Sequence, residues 1–231
     1  MSIARRAAAW AVHAYTASGV VIAFVALEAI DDGRFADAFR WLGLAMAIDC
    51  TDGTLARAVG VKRVLPYFDG TRLDDVVDYL TYVVVPIALL HEAGLIATWT
   101  AAAPLLASAY GFCRTDAKSA EGFHHFRGFP SYWNVFALYA WLLPLSPAAA
   151  TAWTLAFAVL VFAPLKIVYP SRTVELRPVT IGLGLVWAAV MIVVVWTAPD
   201  TPRTLLWASL AYPAYYFGLS FWLQATTRSA S

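Results

Sequence analysis

A chain of 231 residues that is 61% hydrophobic and only 13% charged, with a mean hydropathy of +0.66, is too apolar for a water-soluble domain. Its net charge of +1 and its lack of any Lys/Arg stripe exclude an electrostatic nucleic-acid surface. The expected solvent is lipid, and at ~20 apolar residues per span the chain has room for about eight helices. One compact all-α bundle is expected, a single polytopic membrane domain over residues 1–231.

The apolar segments fall near residues 9–30, 36–56, 70–93, 96–113, 131–145, 149–169, 178–198 and 203–223. Helices are expected because a lipid-exposed backbone must satisfy its own hydrogen bonds, and the runs are too uniformly apolar for barrel strands. The first follows Arg5-Arg6 and runs on through Val20–Leu27, too long for a cleaved signal peptide, so it is read as a span. Glu28, Asp31, Asp32 and Asp37 then make a solvated outer loop.

The second span ends in Asp49-Cys50-Thr51-Asp52-Gly53-Thr54-Leu55-Ala56-Arg57, and the third opens with Gly70-Thr71-Arg72-Leu73-Asp74-Asp75-Val76-Val77-Asp78. At about 100° per residue, positions 49, 52, 53 and 56 share one helical face, with Arg57 at its edge. Gly70, Asp74 and Asp78, spaced by four, form a stripe on the next helix. The short basic loop 57–69 makes the two helices antiparallel neighbours, so the stripes can meet, roughly a third of the way into the membrane at ~1.5 Å per residue. Asp75 points away from the stripe, toward a supporting role or a pair with Arg72.

An ionised Asp near a helix centre costs about 2.5–3.5 kcal/mol on insertion scales, so several together require a cation. Arg57 and Arg72 cannot neutralise Asp49, Asp52, Asp74 and Asp78 alone. All-oxygen ligands favour Mg²⁺, Mn²⁺ or Ca²⁺ over zinc, and two ions would suit phosphoryl transfer. Small Gly53 and Ala56 either let helices approach or make room for a ligand.

The fourth span ends at Tyr110 and Cys113; Cys50 and Cys113 are read as buried thiols with no disulfide framework. Adjacent His124-His125 are poorly spaced for one metal and are read as loop residues. The fifth span opens with Tyr132-Trp133, and proline-bearing breakers at 144–147 and 197–202 mark outer turns. Sorting Lys and Arg by loop places Arg5, Arg6, Arg57, Lys62, Arg63, Arg72, Arg114, Lys118, Arg127, Lys166, Arg172, Arg177 and Arg228 on one side and only Arg34, Arg40 and Arg203 on the other. The positive-inside rule then puts both termini in the cytoplasm.

Asp-x-x-Asp-Gly-x-x-Ala-Arg followed by Gly-x-x-x-Asp-x-x-x-Asp resembles the signature of the CDP-alcohol phosphotransferase family, and every defining position matches. The spacer between Arg57 and Gly70 is longer than in most members, and resembles the bacterial phosphatidylcholine synthase branch. Residues 112–118, 128–134 and 164–172 are similar to that branch as well. The resemblance implies transfer of a phosphatidyl group from CDP-diacylglycerol to choline with loss of CMP, dependent on Mn²⁺ or Mg²⁺, in a homodimer.

It further implies metal ligation by Asp49, Asp52, Asp74 and Asp78, with Asp78 also taking the proton of the attacking alcohol. Gly53, Ala56, Arg57 and Gly70 would contact the CDP moiety. Choline's quaternary ammonium is recognised by aromatic faces, and Tyr79, Tyr82, Tyr110, Tyr132 and Trp133 form the candidate pool. Arg114, Lys118, Lys166 and Arg172 are placed for a phosphate or lipid headgroup. Two alternatives stay open at this point: another family member acting on serine, inositol or glycerol phosphate, and a cation transporter, since intramembrane carboxylates also mark ion pathways.

Overall fold

A computed structural model describes residues 2–116, 118–119, 123–170 and 172–228. Helix α1 (Ile3–Asp31) turns at Gly33, whose φ is +71°, into α2 (Phe35–Val59), and the two pack along their length. Gly60, also left-handed, ends α2 by donating its N–H to the carbonyls of Ala56 and Arg57. The one-turn α3 (Val61–Val64) then buries Val61, Val64 and Leu65 against Ala9 and Val12 of α1.

Asp69 caps the next helix, its carboxylate accepting from the Thr71 and Arg72 N–H groups. That helix is continuous from 70 to 92, in three parts: α4 (Gly70–Asp78), a π-helical turn (Tyr79–Val84) and α5 (Val85–Glu92). Then come α6 (Thr98–Cys113), strands β1 (Lys118–Ser119) and β2 (His125–Arg127), α7 (Trp133–Leu142), α8 (Pro147–Leu160) and β3 (Lys166–Val168). The chain closes with α9 (Arg177–Thr197), α10 (Arg203–Ser209) and α11 (Ala211–Arg228).

Helices occupy all eight segments expected from hydropathy, with corrections to three of them. The first begins at Ile3 rather than near residue 9. The sixth stops at Leu160, and its apolar tail becomes a turn and β3. Gly128, at φ +79°, lies so close that an added Cβ would overlap the Val161 carbonyl oxygen, and its N–H donates to the Leu165 carbonyl. That contact docks the 123–131 loop on the end of α8, and β2 pairs antiparallel with both β1 and β3. The bundle is therefore not purely α. The last segment is broken near Leu210 into α10 and α11, and the cysteines are free but, against the expectation of buried thiols, lie exposed on helix surfaces.

β3 leans on α11. Val168 N–H donates to Ser220 Oγ, Lys166 N–H to Gln224 Oε1, and Tyr216 donates back to the Val168 carbonyl, which satisfies the edge of a very short sheet. The main core gathers Ala23 and Ala26 of α1, Phe39 and Leu42 of α2, Ile87, Leu89 and Leu90 of α5, Trp133 and Ala137 of α7, and Val194 of α9. Among the described residues two helices, α1 and α9, are by themselves long and apolar enough to cross a membrane. On α9, Leu185, Val186, Ile192 and Trp196 all stand open, an arrangement suited to lipid and not to water.

Candidate active site

The turn from α2 through α3 to α4 brings the two acidic stripes together. Asp49, Asp74 and Asp78 each place a carboxylate oxygen within 4.8 Å of the others, and all three side chains are half-buried. Two unit negative charges 4.8 Å apart repel by about 3 kcal/mol at an effective dielectric of ~20, so the trio is unfavourable as bare anions. Three hard oxygen donors at this spacing fit a divalent cation of the Mg²⁺, Mn²⁺ or Ca²⁺ type, and nothing in the set is a soft ligand that would select zinc.

Asp52 stands apart from that trio. It is buried one turn further along α2, and its Oδ2 accepts a 2.7 Å hydrogen bond from Thr16 Oγ1 on α1. The neighbouring pair Tyr15 and Thr51 is hydrogen-bonded at 2.9 Å, so α1 grips α2 at two adjacent points. Asp49 is held from the other side: Tyr82, on the π-helical turn, donates to its Oδ2 at 2.7 Å. A π turn beside a functional site is a recurrent association.

The residues expected to contact a CDP group divide. The exposed Arg57 guanidinium lies over Gly53, where an added Cβ would stand 3.4 Å from Arg57 Nη1, and is steadied by Thr54 Oγ1 at 3.0 Å. Ala56, by contrast, packs on the small cluster of Ala9, Val12, Val61 and Leu65. Gly70 faces His13 of α1, whose Cε1 would sit 2.6 Å from an added Cβ. Both small residues thus serve helix approach here. Arg72 pairs with the capping Asp69 at 3.3 Å.

The aromatic pool is dispersed. Tyr82 touches Asp49, and Tyr132 lies within electrostatic range of it, with its hydroxyl 3.4 Å from that of Tyr216. Tyr79 donates to the Leu105 carbonyl. Tyr110 is half-exposed against Phe162, with the Arg114 guanidinium over its ring. Trp133 is a correction: it is fully buried, its indole N–H donating to Ser108 Oγ at 2.8 Å, so its ring belongs to the core and offers no open face.

Of the basic pool, Arg114 is engaged elsewhere. Arg114 grips Asp116 with two 2.8 Å bonds, and Arg127 adds a third at 3.1 Å. These guanidiniums, Arg114 first, hold the Asp116 carboxyl down at about 2. Lys166 lies opposite Arg127 in the sheet, and Arg172 is exposed after β3. The Lys118 side chain lies outside the described residues. His125 is a correction: it lies in β2 and not in a loop, buried with Nδ1 2.6 Å from the Phe123 carbonyl. The outer acidic loop is ion-paired rather than merely solvated: Arg34 bridges Asp32 and Asp37, and Arg40 joins Asp37 to the Trp196 carbonyl on α9.

Comparison with known proteins adds a second line of support. No family model matches the chain. It is 38% identical to the phosphatidylcholine synthase of Pseudomonas aeruginosa, in an alignment covering 97% of this chain and 95% of that protein. With the phosphatidylcholine synthase of Bradyrhizobium diazoefficiens it shares 43% over 80% of this chain and 70% of the relative. With that of Borreliella burgdorferi it shares 33% over 96% of each.

Proposed function

The chain belongs to the phosphatidylcholine synthase family, and we propose that Asp49, Asp74 and Asp78 hold the divalent ion with which it joins the phosphatidyl group of CDP-diacylglycerol to choline and releases CMP. The observation that carries the site is the convergence of three carboxylate oxygens within 4.8 Å on two helices of a lipid-facing bundle. A bound Mn²⁺ or Mg²⁺, or a pair of them, supplies charge neutralisation for the diphosphate and its leaving group.

The rest falls to side chains. Arg57, exposed over Gly53, binds the diphosphate through its planar guanidinium. Asp78 accepts the proton of the choline hydroxyl as that oxygen forms a bond to the phosphorus bearing diacylglycerol. The bond from that phosphorus to the bridging oxygen breaks, and the electron pair leaves with CMP. Asp52, outside the tight trio and anchored on α2 by Thr16, is assigned to the same ion as a fourth carboxylate through its other oxygen. Of the aromatic pool, Tyr82 and Tyr132 lie on the Asp49 side and are placed to face the ammonium. Ala56 and Gly70 act by letting α1 close on the site.

We place eight crossing segments in a bacterial inner membrane with both termini cytoplasmic, from the loop distribution of Lys and Arg, and a homodimer as the working assembly. A direct assay tests the reading. Membranes carrying the chain, given CDP-diacylglycerol, choline and Mn²⁺ or Mg²⁺, should yield phosphatidylcholine and CMP in equal amounts, and chelation should stop both. Preference for serine, inositol or glycerol phosphate over choline would overturn the substrate assignment, and activity persisting after complete chelation would overturn the role of the carboxylates.

A further inference from the structure

The first helix carries none of the signature residues, yet it is pressed against the site at three successive turns. Gly19 of α1 meets Val77 of α4 so closely that an added Cβ would overlap Val77 Cγ1. One turn back, Thr16 reaches Asp52 of α2 at 2.7 Å. One turn further, His13 fills the space left by Gly70 of α4. Two glycine contacts therefore fix the depth and rotation of α1, and Thr16 sits between them.

We propose that Thr16 is a positioning residue for the metal site, acting through Asp52. The bond is enclosed: Thr16 is 7% and Asp52 6% exposed, so water cannot substitute for the hydroxyl. With Oδ2 committed to Thr16, the Asp52 carboxylate is confined to one orientation, leaving its other oxygen to serve the site. Outer partners that orient a ligating carboxylate typically change metal affinity 10–100-fold when removed. The geometry of the α1–α4 contact excludes a larger residue nearby and makes the hydroxyl, and not bulk, the functional feature. The inference rests on the acidic group being a metal site, as proposed above.

The test is Mn²⁺ binding by the full-length chain in detergent without lipid substrate, followed by the electron paramagnetic resonance of free Mn²⁺. Thr16→Val keeps the shape and removes the hydroxyl; it should weaken Mn²⁺ binding about tenfold or more, and Thr16→Ser should return it to within about twofold of wild type. The Mn²⁺ concentration for half-maximal activity should move in parallel. Should Thr16→Val fail to fold, Thr16→Ala against Thr16→Ser gives the same contrast with no added bulk. Adding Asp52→Asn to Thr16→Val should cost no more than Asp52→Asn alone, because both act on one carboxylate. Wild-type Mn²⁺ affinity in a folded Thr16→Val or Thr16→Ala protein would overturn the role of Thr16 and leave the metal site standing. A wild-type chain that makes phosphatidylcholine while binding no Mn²⁺ or Mg²⁺ would overturn both.

Discussion

The region built from α1 to α5 and the region built from α8 to α11 are both largely apolar in sequence, the first carrying far more charge, and they differ in how they pack. In the first, glycines bring helices into contact and buried hydroxyls reach across to carboxylates, as in Thr16 to Asp52 and Tyr82 to Asp49. In the second, α9 turns most of its surface outward; Gly184 and Thr180 meet Tyr212 and Tyr215 of α11 with no carboxylate involved, and Ser220 to Val168 closes a short sheet. The contrast teaches that in lipid, where burial of apolar surface gives little reason for helices to associate, close approach and hydrogen bonding mark where geometry has to be exact to the ångström.

Five changes sharpen or break that contrast. Asp78→Asn should lower turnover by about 10³-fold, within the range for losing a general base, while CDP-diacylglycerol binding survives; near-normal turnover would remove Asp78 from that role. Gly19→Ala should destabilise the chain by about 1–3 kcal/mol through overlap with Val77, whereas Gly182→Ala on α9, where the added methyl meets nothing within 4 Å, should change stability by about 0.5 kcal/mol or less. Equal thermal shifts for the two in detergent would erase the difference between the regions.

Tyr82→Phe should reduce activity about five- to tenfold at limiting Mn²⁺ and less at saturating Mn²⁺, because it frees Asp49 Oδ2 without removing the ring. A loss confined to the choline KM would leave Tyr82 its contact with the ammonium and remove its role in holding Asp49. The smallest effect belongs to Asp116, whose carboxyl is depressed to about 2 by Arg114 and Arg127. A group lowered on folding stabilises above its unfolded value of 3.8 and loses that contribution as pH falls through 2. The small gap in thermal midpoint between wild type and Asp116→Asn should therefore be flat from pH 8 to about 4 and close toward pH 2.

The acidic stripes were legible in the sequence because helical periodicity alone places Asp49 beside one face and Asp74 with Asp78 on another, and a short loop forces the two helices together. Thr16 was not, since a single hydroxyl in an apolar run has no pattern, and its partner lies 36 positions away. Only the general rule that polar groups inside a span face the bundle pointed to it. The end of α8 was missed because Val161–Val168 remains apolar, and its fate as turn and strand depends on the distant loop 123–131. Trp133 was misjudged for a related reason: an interfacial and a core tryptophan look alike until the hydroxyl of Ser108 is seen beside the indole.

The widened turn Tyr79–Val84 separates two demands on one long helix. Upstream, the rotation must aim Asp74 and Asp78 at α2; downstream, it must bury Ile87, Leu89 and Leu90 against α1 and α7. A uniform spiral ties those two rotations together, so adjusting one spoils the other by about 100° per inserted residue. A turn that absorbs an extra residue works like a slip joint: catalytic and packing ends can be tuned, or can evolve, each without disturbing its counterpart.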